Sequence, residues 1–133
     1  MYSVTKRIDF CYGHRLLDYD GVCKHPHGHN AKVEVEVRTG TLDKRNMVCD
    51  FSDIKRIVKG WIDRAFDHKM LLRHDDPLVK SLKELGEPVY ICESNPTVEH
   101  IAQLIYRHAT QEGLPVVRVK VWETPTSFAE YGE

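Results

Sequence analysis

The run Cys23-Lys24-His25-Pro26-His27-Gly28-His29 brings a thiol and three imidazoles into seven residues, with His14 a short way upstream. His27 and His29 are two positions apart, so on an extended chain both rings leave the same face. A third imidazole from a neighbouring strand would complete a three-nitrogen ligand set for one divalent ion. Such a set keeps a coordination position open, as in a catalytic zinc site, whereas structural zinc is usually closed by four protein ligands. The plainer alternative is a group of loop histidines, solvated or singly hydrogen-bonded, and His25 could compete as a ligand.

Other residues carry chemistry less sharply. Cys23, four residues before His27 and beside Lys24, could be a fourth ligand, a nucleophile or a general base, because a dication and a cation both favour thiolate. It could also be a small buried hydrophobe, the reading that suits Cys11, Cys49 and Cys92. Asp67-His68 pairs a carboxylate with an imidazole, as proton transfer requires. The same pair could simply end a helix, where the dipole favours a histidine. Glu123 shares the parity of Val117, Val119 and Val121; it could grip a guanidine-like ligand edge, or the strand could there have reached solvent. Thr97 reads as a helix cap, and Glu99 as a first-turn acid that could also face a ligand.

The elements that must position these residues follow from periodicity. Residues 2–10 and 30–39 alternate apolar and polar, which predicts two half-buried strands joined by a long loop that holds the histidines. If both strands extend toward the loop, His14 falls on the face of Ile8 and Phe10. His27 and His29 then fall on the face of Ala31 and Val33, provided no bulge forms at Gly13 or Gly28. A short strand over 47–51 should lead into a helix capped by Ser52 or Asp53, with Ile54, Ile57, Val58, Trp61, Ile62, Ala65 and Phe66 in its apolar stripe. Asp76-Pro77 should open a second helix ended by Gly86, and residues 89–92 form a short extended piece. Thr97 should open a third helix ended by Gly113, residues 116–123 form a last strand, and the remaining tail is polar. One α+β domain over residues 1–133 is expected, an antiparallel sheet with helices packed on one face.

Bulk properties narrow the function classes. The 133 residues carry a formal net charge of −1, so no basic footprint for nucleic acid is present. No apolar run approaches the roughly 20 residues of a membrane span. The first residues contain no apolar signal core, and the four cysteines form no CxxC pair. Free thiols in a reducing cytoplasm are therefore expected.

Taken in order, these residues resemble the 6-pyruvoyltetrahydropterin synthase / 6-carboxytetrahydropterin synthase family. The resemblance rests on Phe10 to His14-Arg15-Leu16, on Cys23 with three residues before His27-Gly28-His29, and on Asp50-Phe51 and Asp67-His68. It continues through Asn95-Pro96-Thr97 with Glu99, then Glu123-Thr124, and Tyr131. It implies the tunnelling fold, in which three subunits join their sheets into a barrel and two trimers stack into a homo-hexamer. It further implies zinc on His14, His27 and His29, Cys23 as catalytic base with Asp67 and His68 as its proton relay, and a pterin held by Glu123, Thr97 and Glu99. The implied substrate is 7,8-dihydroneopterin triphosphate, in a pocket built at subunit contacts. The three-residue gap after Cys23 resembles the 6-carboxytetrahydropterin branch, a lyase that releases triphosphate and acetaldehyde on the way to the queuosine base. The 6-pyruvoyl branch and a non-catalytic pterin-binding zinc protein are the alternatives. Two departures stand out: Cys11-Tyr12-Gly13 where the family usually has small residues, and Lys69-Met70 after His68 in place of Leu-Asn. Arg15 and Lys24 lie near enough to be considered for the triphosphate.

Overall fold

Two thirteen-residue strands, β1 (Tyr2–His14) and β2 (His27–Thr39), form the antiparallel centre of the structure. Their register runs unbroken from Tyr2 opposite Thr39 to His14 opposite His27, with Gly13 facing Gly28 and no bulge at either glycine. The parity argument therefore holds to the strand ends. Ile8, Phe10, Tyr12 and His14 on β1, and Ala31, Val33, Val35 and Val37 on β2, are all buried. Each fully buried valine of this face contributes on the order of 1.5–3 kcal/mol. The computed structural model describes residues 1–133.

The remaining elements build outward from this pair. They are α1 (residues 51–65), β3 (Lys69–Arg73), α2 (Pro77–Glu84), β4 (Val89–Cys92), α3 (Val98–Gln111), β5 (Val116–Thr124) and β6 (Ser127–Tyr131). The sheet order is β4-β3-β1-β2-β5-β6. The expectation of a wholly antiparallel sheet needs correction, because β3 runs parallel to β1 and β4 parallel to β3. Parallel neighbours need a crossover, and α2 supplies the one between β3 and β4.

Two strands escape the sequence pattern. In β3, Leu71 and Leu72 are both fully buried, so apolar residues do not alternate. In β6 most residues are exposed at the sheet edge, so no apolar face is written there. Conversely, residues 47–50 gain no strand partner; Val48 and Cys49 pack against the core from an irregular approach to α1. The cap of α1 is Asp50 rather than Ser52 or Asp53. Its backbone is extended and its carboxylate accepts from the Ser52 amide, whereas Ser52 and Asp53 are already helical.

Helix α1 is built from Phe51–Ile54, a π-type stretch Lys55–Lys59, and Gly60–Ala65. Its core residues Ile54, Val58, Ile62 and Phe66 recur every fourth position. A 3.6-residue turn would rotate such a row away from the sheet, and the wider π turn counters that drift. Ile101, Ala102, Ile105 and Ala109 of α3 join the same cluster. Helix α2 stands apart from that layer: its Leu78 and Leu82 line a groove of about 720 Å3 together with Cys11, Gly13 and Met70. Helices α2 and α3 end as expected, with Gly86 and Gly113 in the left-handed region that glycine tolerates. No helix is long and apolar enough to cross a membrane.

Candidate metal centre and active site

The sheet register converts sequence spacing into a cluster. His14 faces His27 across β1 and β2, while His29 faces Tyr12. The three imidazole rings lie 4.5, 4.9 and 5.1 Å apart by their centroids. One nitrogen from each falls within 4.8 Å of the others. His14 Nδ1 stands 2.7 Å from the Pro96 carbonyl oxygen, and His27 Nδ1 2.7 Å from that of His25. A carbonyl only accepts, so both Nδ1 atoms carry the proton and both Nε2 atoms present a lone pair.

The Nε2 atoms of His14, His27 and His29 are buried and have no hydrogen-bond partner. Three such orphans converging on one point would be costly in an ordinary core. A divalent cation satisfies all three at once, so the donor set fits a metal. Burial, opposed by the bond to Pro96 and helped by the neighbouring His27 and His29, pushes the pKa of His14 down from the ordinary 6.5 to about 4. His29 is lowered by burial too, although the Glu123 carboxylate acts in the other direction. Both rings are held in the neutral form that ligates metal. Glu123 Oε1 lies 3.1 Å from His29 Nε2 and 3.4 Å from His14 Nε2, without hydrogen-bond geometry to either.

The start of α3 braces this cluster. Thr97 is its cap, accepting from the His100 amide at 3.2 Å, and Glu99 stands in the first turn. Asn95 clamps the backbone of Leu17 through both its side-chain amide atoms, at 2.9 and 2.8 Å. The Asn95-Pro96 pair thus fixes the chain just beyond His14 and orients the His14 ring. The local pattern marks this segment as a helix cap and, by resemblance, as part of a pterin pocket; its polar-proline spacing does not reveal a partner some eighty residues away.

Asp67 and His68 form a second cluster, and their neighbour is Cys11 rather than Cys23. The thiol of Cys11 and one ligating atom from each of Asp67 and His68 lie within 4.8 Å of one another. The Cys11 amide donates to Asp67 Oδ1 at 3.0 Å, and His68 Nδ1 lies 2.8 Å from Asp67 Oδ2. The His68 amide donates to the Cys11 carbonyl, and His68 itself adopts a φ of 58°. A non-glycine residue there is uncommon, and such strain gathers at functional sites. Burial raises the Asp67 pKa, but the Cys11 amide and the His68 ring outweigh it and hold the carboxyl below its usual range. Cys23 sits half-buried in the single 3-10 turn Val22–Lys24, its carbonyl accepting from the Leu16 amide. Arg15 is already engaged: it forms a bidentate pair with the buried Asp76 at 2.8 and 2.5 Å.

Comparison with known proteins follows the same pattern. The family described as 6-pyruvoyl tetrahydropterin synthase matches residues 3–133. A protein from Rickettsia conorii named 6-carboxy-5,6,7,8-tetrahydropterin synthase is 34% identical, with 98% of this chain and 99% of that protein covered. A protein of the same name from Haemophilus influenzae is 36% identical, with both chains covered in full. The solved structure of Caenorhabditis elegans 6-pyruvoyl tetrahydropterin synthase shares the fold, with a TM-score of 0.74 at 20% identity over 99% of this chain and 95% of that one.

Proposed function

The chain belongs to the 6-pyruvoyl tetrahydropterin synthase family, and from that premise we propose that it acts as a zinc-dependent 6-carboxy-5,6,7,8-tetrahydropterin synthase. The substrate is 7,8-dihydroneopterin triphosphate, and the side chain is lost as triphosphate and acetaldehyde on the route to the queuosine base. The observation that carries the metal chemistry is the convergence of three unpartnered, buried Nε2 atoms. The relatives' names and the three-residue gap between Cys23 and His27 favour the 6-carboxy product over the 6-pyruvoyl one.

His14, His27 and His29 would hold the zinc, which would supply Lewis acidity toward substrate oxygens. Glu123 accepts paired hydrogen bonds from the amidine-like edge of the pterin, and its place against the triad keeps that ring beside the ion site. Thr97 and Glu99 line the pocket from the start of α3. Cys23 is the base that removes a proton at a side-chain carbon of the substrate. Asp67 holds the Nδ1 proton of His68, which leaves His68 Nε2 free to pass a proton on. Strands β4 and β6 leave two open sheet edges, which a barrel of three subunits covers. By the family resemblance, the working form is a homo-hexamer of two stacked trimers in the cytoplasm, each chain a single tunnelling-fold domain over residues 1–133.

Incubation of zinc-loaded protein with dihydroneopterin triphosphate, with products identified by mass, tests the reading directly. Acetaldehyde and the 6-carboxy product are expected. Cys23→Ala should keep about one zinc per chain yet lose turnover, and His27→Ala should lose both. If Cys23→Ala sheds its zinc, the thiol is a ligand and its role as base fails.

A further inference from the structure

Four buried side-chain polar atoms in the chain lack a hydrogen-bond partner. Three are the Nε2 atoms of His14, His27 and His29, and the fourth is the hydroxyl of Tyr12. All four lie in one place. Tyr12 follows the inward parity of β1 and faces His29 across the sheet. Its ring meets His14 edge-on at 5.0 Å and His29 at 5.7 Å. A cation accounts for the three nitrogens and leaves the hydroxyl unexplained. Leaving a buried donor unsatisfied is destabilising. Packing alone does not require that cost, because Phe10, two residues earlier in the same stack, fills an equivalent position without an oxygen. Tyr12 is only 3% exposed, so bulk water does not serve the hydroxyl. The carboxylates that act on it are Glu123 and Glu99, two residues assigned above to the pterin pocket.

We propose that Tyr12 is a substrate-contacting residue whose hydroxyl donates a hydrogen bond to an acceptor atom of the bound pterin. This rests on the pterin-synthase reading of the site. The phenol packs against the metal ligands His14 and His29, and its donor is satisfied only when the heterocycle is in place. Acceptors on the ring or its first side-chain oxygen suit it; a ligand offering only donors there is discriminated against. A group unsatisfied in the free protein and paired in the complex adds to affinity at the expense of resting stability.

The test compares wild type with Tyr12→Phe in the zinc-loaded protein, using 7,8-dihydroneopterin as the probe in titration calorimetry. Binding should weaken about 5- to 10-fold, the usual worth of one neutral hydrogen bond. The melting temperature of the ligand-free protein should stay level or rise, because the variant removes an orphan donor and keeps the ring. Zinc content should stay the same. Equal affinity in the two proteins overturns the proposal, while pterin binding by wild type leaves the functional reading standing. A lower melting temperature means the hydroxyl already has a structural partner, and lost zinc means it is a ligand; either result overturns the proposal. A wild-type protein that binds no pterin brings down the functional reading and this inference together.

Discussion

Metal-free protein should lose stability between pH 6.5 and pH 4 through His14. Its ring is buried, and burial together with the two neighbouring histidines holds its pKa near 4 rather than the ordinary 6.5. Between those values the unfolded chain binds a proton at this residue and the folded chain does not. Stability therefore rises with pH across the window and is lost as pH falls through it. A separation of about 2.5 pH units, at 1.36 kcal/mol each, is worth about 3 kcal/mol at its full extent. His29 adds in the same direction, moderated by Glu123. The depressed carboxylates, Asp67, Asp76, Glu34 and Glu36, act lower: they stabilise the fold above the ordinary carboxylate range and lose that contribution as pH falls below it. The two windows are separable.

Urea unfolding of chelator-treated protein at pH 7.5, 5.5 and 4.5, in parallel with His14→Gln, isolates the effect. The stability difference between wild type and variant should shift against wild type by about 2–3 kcal/mol from the highest pH to the lowest. A difference constant to within 1 kcal/mol would refute the burial argument. Adding zinc at about a hundred times its Kd should stabilise wild type by about 2.7 kcal/mol at neutral pH. That gain should fade on acidification and be absent from the variant.

Arg15→Ala should destabilise the chain by about 3–5 kcal/mol, because it strands a carboxylate whose side chain is fully buried; Asp76→Asn should cost less, since Arg15 is 21% exposed and can turn to water, and asparagine still caps α2. Equal losses in urea unfolding would contradict that asymmetry. Cys23→Ala and His68→Ala, each inactive alone, should recover about a quarter of wild-type activity when co-refolded in equal amounts, if each pocket takes its thiol and its relay from different chains of a symmetric assembly. No recovery in verified mixed oligomers would place both groups in one chain.

The histidine triad was legible because its whole determinant lies in one alternating pattern. Two strands of fixed parity, with no bulge at Gly13 or Gly28, carry His14, His27 and His29 to the same face as Phe10 and Val33. The parallel strands were not legible, since Leu71 and Leu72 are buried on both faces of β3 and period 2 disappears there. The roles of Asn95 and Pro96 depend on long-range contacts with Leu17 and His14 that no local spacing encodes. Tyr12 was legible only as a departure from the family pattern; the orphaned hydroxyl is a property of packing.

The same parity that assembles the triad separates it from the relay. Phe10, Tyr12 and His14 point inward from β1, and Cys11, between Phe10 and Tyr12, points the other way. Asp67 and His68 are fastened to Cys11, and the groove lined by His68 runs along the strand ends that carry Tyr12, His27 and His29. Along the strands the sheet keeps side chains on its two faces apart. If the dyad serves a substrate held at the triad, this separation favours a dyad supplied by another copy of the chain. The strained backbone of His68 and the double tether on Asp67 suit that use, because they fix the dyad to present its free nitrogen outward, where the His68 side chain is 79% exposed. The exposure that would mark His68 as a poor catalytic group in a monomer is what an interface-built pocket requires.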